Sequence, residues 1–93
     1  MARTVWKFEL GLEDKGDVDM PVGAHIIDVR MQNGVPCIWA IVDSEGDRET
    51  RRFLIAGTGW PLPGAGRHVG TVHTDRGLVW HIFDVLSEEV HPL

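Results

Sequence analysis

The chain has 93 residues, with nine Lys and Arg against 14 Asp and Glu, a formal net charge of −5. At 43 % hydrophobic and 25 % charged it has the composition of a folded globular protein, and its length fits one domain, 1–93, with no room for a separate cofactor-carrying lobe. The acidic balance argues against holding duplex nucleic acid by its phosphates, and the single Cys37 excludes both an internal disulfide framework and a cysteine-rich zinc site.

No run approaches the roughly 18 apolar residues of a membrane span. Met1-Ala2-Arg3 leads directly into polar alternation, so no signal peptide is expected either. No stretch carries apolar residues at helical spacing over three turns. The recurring period is two, the strand period.

The first predicted strand is 4–10, with Trp6, Phe8 and Leu10 on one face and Val5, Lys7 and Glu9 on the other. The acidic segment 13–17 reads as a turn, followed by a short strand at 18–20 that stops at Pro21. Runs 24–32 and 35–42 flank Asn33-Gly34, a dipeptide suited to a type I′ turn because both central residues need positive φ. A two-residue turn fixes register, pairing Gln32 with Val35, Arg30 with Cys37, Asp28 with Trp39 and Ile27 with Ala40. The expected core face then carries Ile27, Val29, Met31, Ile38, Ala40 and Val42. The opposite face mixes Ile26, Asp28, Arg30, Gln32, Val35, Cys37, Trp39 and Ile41.

Residues 43–50 read as a charged loop, and 51–56 as the next strand. The stretch 57–66 holds four glycines and two prolines, which marks a shaped loop rather than a helix. Segments 67–73 and 78–83 form a second predicted hairpin around Thr74-Asp75-Arg76-Gly77. It places His81 opposite Gly70 and sets His68 and His73 on opposite sides of their strand. The tail 84–93 admits one helical turn. The expected fold is all-β, a small antiparallel sandwich or half-barrel of six to seven strands with an ordered core of about 4–84.

Few residues point to chemistry. Gly57-Thr58-Gly59 can cradle an anion with its backbone N–H groups, yet it lacks the third glycine and following helix of a dinucleotide fingerprint. The five histidines show neither His-x-His nor His-Glu-x-x-His spacing, so no metal and no other cofactor is expected. Ser44 and Ser87 lie in acidic segments, and Cys37 is mid-strand, so no nucleophile has a base beside it and no enzyme is expected. Four tryptophans without a tyrosine are more informative. Trp6 and Trp80 suit core positions, whereas Trp39 on the mixed face and Trp60 in the glycine-rich loop suit either an interface or a planar ligand.

The ordered series Trp6-Lys7-Phe8-Glu9-Leu10, Met20-Pro21, Gln32-Asn33-Gly34-Val35-Pro36-Cys37, Trp39-Ala40-Ile41-Val42-Asp43, Arg52-Phe53 and Gly57-Thr58-Gly59, ending in Val79 to Phe83, resembles a family of short bacteriophage and prophage proteins. The resemblance covers about 4–84 and is sharpest at Asn33 to Ala40. It implies phage origin and action in the cytoplasm of the infected bacterium, and it brings no catalytic residues with it. The combined expectation is a homo-oligomeric, non-enzymatic counter-defence protein that sequesters a small nucleotide-like host signal. Trp39 or Trp60 would stack the base, while Arg30, Arg51 or Arg52 with Gly57, Thr58 and Gly59 would hold phosphate. The alternatives are an inhibitor or adaptor presenting the acidic segments 13–19 and 43–49 to a host protein, or a minor virion or assembly protein.

Overall fold

The computed structural model describes residues 2–11, 15–62 and 66–85. Seven antiparallel strands run in chain order: β1 (Arg3–Glu9), β2 (Lys15–Pro21), β3 (His25–Gln32), β4 (Val35–Asp43), β5 (Arg48–Gly57), β6 (Arg67–His73) and β7 (Val79–Val85). They build a three-stranded sheet in the order β1-β4-β3 and a four-stranded sheet in the order β2-β5-β7-β6. The fold is all-β, with no helix among the described residues. The tail segment that admitted a helical turn continues β7 to Val85, and residues 86–93 lie outside the described residues, as do 12–14 in the acidic turn.

The first hairpin forms as its turn dictates. Asn33 and Gly34 sit at φ 55° and 79°, the positive values of a type I′ turn. Pairing follows the expected register from Gln32–Val35 to Asp28–Trp39. Beyond that point one extra residue enters β3, and Ile26 rather than Ile27 faces Ala40. The bulge reverses the two isoleucines: Ile26 packs on the core, while Ile27 is 49 % exposed. The expected pairing of Ile27 with Ala40, and its place on the core face, are therefore corrected.

A second bulge acts in β6. His68 pairs with Phe83 and Gly70 with Ile82, so Val69 is the extra residue and His81 faces Thr71 instead of Gly70. His68 and His73 consequently share a face of the strand, contrary to strict alternation. Strands β2 and β5 also extend further than the sequence suggests. The charged residues that read as loop, Lys15 to Asp17 and Arg48 to Thr50, pair with their neighbours as strand ends.

The inner faces of the two sheets share one core of Leu10, Val18, Met20, Val29, Ile38, Phe53, Ile55, Val72, Ile82 and smaller neighbours, with Trp6 and Trp80 packed at its margin. Full burial of a side chain such as Phe53 or Ile38 stabilises the fold by ~1.5–3 kcal/mol. The sheets approach most closely where β3 meets β6. A Cβ on Gly70 would lie 2.7 Å from Val29 Cβ, so only glycine admits this contact. Across the molecule, the β1 end is tied down by Asp43, whose carboxylate accepts the N–H of Ala2 at 3.2 Å and of Glu45 at 3.1 Å. Those hydrogen bonds hold its carboxyl below the usual carboxylate range. The Arg48 guanidinium stacks over Trp6 at 5.1 Å and bridges the sheets on that side.

Candidate functional site

The glycine-rich loop becomes a groove because of one missing side chain. After β5, Trp60 N–H donates to Gly57 C=O at 3.0 Å, closing a turn that needs φ of 88° at Gly59. This turn folds the Trp60 ring back onto Gly57, where a Cβ would lie 2.7 Å from the ring. Gly57 pairs with Trp80 on β7. The two indoles, with Thr58, Gly77, Leu78 and Val79, line a groove of about 370 Å³. Trp60 is 57 % exposed and Leu78 52 % exposed.

None of the described residues that line the groove is ionisable. Its chemistry is therefore stacking and apolar contact. An aromatic platform contributes about 1–3 kcal/mol per stacked base. The sequence pointed to Trp60 but placed Trp80 only in the core. The missed signal is Gly57 directly opposite Trp80, visible only once β5 is paired with β7.

The other residues expected at the ligand site are distributed over the molecule. Arg51 and Arg52 are neighbours on β5, so they point to opposite faces. Arg51 turns inward, donating from Nη1 to Ala24 C=O at 2.7 Å and from Nη2 to the buried carboxylate of Asp84. Arg52 turns outward and pairs with Asp17 at 3.0 Å, which keeps its guanidinium charged to an even higher pH. Arg30 and Trp39 belong to the other sheet, where Arg30 pairs with Asp28 at 2.6 Å. The structure thus brings Gly57, Thr58, Gly59 and Trp60 together, and Arg30, Trp39, Arg51 and Arg52 do not converge on them.

On the outer face of the four-stranded sheet lies a ladder the sequence did not reveal. Thr58 Oγ1 bonds His81 Nε2 at 2.9 Å, His81 Nδ1 bonds Thr71 Oγ1 at 3.0 Å, and Thr71 Oγ1 bonds His68 Nε2 at 2.9 Å. His68 also packs edge-on to Phe83, with ring centres 5.4 Å apart. Both nitrogens of His81 are engaged by threonine hydroxyls, so the ring braces the loop that carries Trp60. A second concavity of about 300 Å³ lies between β3 and β6, lined by His25, Ile26, Arg67, His68 and Val69. At its rim Arg67 Nη2 is 3.9 Å from Asp84, which Arg51 also neutralises.

Cys37 lies under the outer face of the three-stranded sheet and is fully buried. Burial pushes its thiol pKa up, so at neutral pH it is a protonated packing group rather than a nucleophile. Among the described residues no three His, Cys, Asp or Glu side chains group to hold a metal ion, and no helix is long and apolar enough to cross a membrane.

A protein-family model described as a domain of unknown function, DUF7352, matches residues 1–92. Neither the curated proteins nor the solved structures contain a match to the chain.

Proposed function

The chain belongs to the DUF7352 family, a domain of unknown function, and from that premise we propose that it is a non-enzymatic binding protein whose Trp60–Trp80 groove holds the planar ring of a small nucleotide-like ligand. The observation that carries this reading is the pair of indoles on one groove, kept open by the absent side chain of Gly57. Stacking rather than phosphate capture supplies the affinity, because none of the described residues lining the groove is ionisable and the chain carries a net charge of −5. Ligand phosphates point to solvent. The likeness of the strand motifs to short phage proteins supports a role in the cytoplasm of an infected bacterium, where the protein sequesters a host signal.

The test is a calorimetric and tryptophan-fluorescence titration with purine and pyrimidine nucleosides and with their linear and cyclic phosphates. Nucleosides are expected to bind at least as tightly as the matching phosphates. Trp60→Ala should weaken binding by roughly tenfold to a hundredfold, in line with the stacking energy. Gly57→Ala, which pushes the ring off its seat, should do the same with Trp60 intact. Binding that is unaffected by both substitutions, or absent for every ring tested, overturns the proposal.

A further inference from the structure

The outer face of the three-stranded sheet has a charge pattern that complements itself. Strand alternation puts Trp6, Phe8, Ile38, Ala40 and Val29 inward, so the residues between them face out. Across the sheet one row reads Lys7, Trp39, Asp28, and the next reads Glu9, Cys37, Arg30. The β1 flank therefore carries plus then minus, and the β3 flank carries minus then plus. Between the flanks, β4 carries a half-buried apolar column of Val35, Trp39 and Ile41, with Cys37 fully buried among them. Val5, 51 % exposed, extends that column sideways through its pairing with Ile41.

Such a face, apolar in the middle and charged at its margins, has the anatomy of a protein interface. The four charges form a quadrupole, and a quadrupole changes sign under either two-fold rotation in the plane of the sheet. With the axis parallel to the strands, Lys7 meets the partner's Asp28 and Glu9 meets the partner's Arg30. With the axis across the strands, Lys7 meets the partner's Glu9 and Asp28 meets the partner's Arg30. In both cases β4 packs on the partner's β4, and among these four charges every opposed pair is of unlike sign. Packed sheets are rotated by about 30°, which at these positions shifts a Cα by only ~3 Å, within the reach of Lys and Arg.

We propose that this face is the contact surface of a homodimer, with a second copy of the chain as its occupant. Asp28 and Arg30 pair with each other at 2.6 Å but remain open to solvent, so each can also meet a partner's charge. Arg30 and Asp28 are 73 % and 44 % exposed in the side chain. Lys7 lies across the sheet, its Nζ donating to Gln32 Oε1 at 2.7 Å. Turning to a partner carboxylate exchanges a neutral acceptor for a charged one, which is the stronger bond.

Sedimentation equilibrium of the full chain, at low and high salt, tests this. The expected result is a monomer–dimer equilibrium that salt weakens. Lys7→Glu should raise the dissociation constant by about tenfold or more, because like charges then face each other. Two double swaps separate the geometries. Lys7→Glu with Asp28→Lys restores the dimer only for the axis parallel to the strands. Lys7→Glu with Glu9→Lys restores it only for the axis across them. Recovery by one swap and not the other supports the interface and assigns the axis. A far-ultraviolet dichroism spectrum that matches wild type separates lost dimerisation from lost folding, because the melting temperature itself falls when a dimer dissociates. A wild-type monomer at high micromolar concentration, a dimer indifferent to Lys7→Glu, or no recovery by either swap overturns the proposal.

Discussion

At the scale of single residues, the most consequential side chain is Asp84, a carboxylate 1 % exposed among apolar neighbours. Its Oδ2 accepts from Arg51, and its Oδ1 makes no hydrogen bond among the described residues. Arg51 also reaches Ala24 C=O in the turn between β2 and β3, so one guanidinium ties β5, β7 and the crossover between sheets. A buried pair of this kind costs desolvation on both sides, and breaking it is worse than never having built it. Arg51→Met should therefore destabilise the fold by about 3–5 kcal/mol, because it strands the Asp84 charge in the core. Arg51→Met with Asp84→Leu should recover most of that loss, leaving mainly the hydrogen bond to Ala24. Urea unfolding of both variants measures the difference. A single variant within about 1 kcal/mol of wild type would show that Arg67, 3.9 Å away, already suffices as counter-ion.

At the scale of strands, the two bulges decide which side chains meet. The β6 bulge brings Gly70 under Val29 and closes the seam between the sheets. Gly70→Ala should overpack that seam and cost about 1–3 kcal/mol, and Val29→Ala in the same chain should relieve only the share owed to the Val29 Cγ atoms, since alanine keeps the Cβ that would lie 2.7 Å from the added methyl. Thermal melts of the two single variants and the double give the coupling, and strict additivity would place the cost elsewhere than in this contact. These bulges also set the limit of what the sequence discloses. Up to Asp28–Trp39 the period of two and the Asn33-Gly34 turn sufficed to name strands, register and faces. Past it, the adjacent isoleucines 26 and 27 are equally apolar, so nothing local says which is inserted. The same holds for His68 and Val69, and with their order the histidine–threonine ladder goes unseen. Trp60 was legible as an exposed loop aromatic, but its seat on Gly57 depends on pairing β5 with β7. Arg51 looked free for a ligand because its partner lies 33 residues away, past the end of the predicted last strand.

At the scale of the whole molecule, neither sheet is a contiguous piece of chain. The three-stranded sheet takes β1, β3 and β4, while β2 is given to the other sheet, and the chain crosses between layers three times before β5. Each sheet turns an apolar face toward the other, and the two faces share one core. Opening either one exposes the shared core and leaves the other without a partner layer. The molecule should accordingly unfold in a single step. Its own tryptophans supply a probe for each layer, Trp6 on β1 and Trp80 on β7. Two variants, each retaining one of these and carrying phenylalanine at the other three positions, should each show a fluorescence transition in urea that coincides with loss of the far-ultraviolet dichroism. If instead the Trp80 signal moves at lower urea than the dichroism, the four-stranded sheet opens by itself. The β3–β6 seam would then be a hinge between two units rather than the closure of one core.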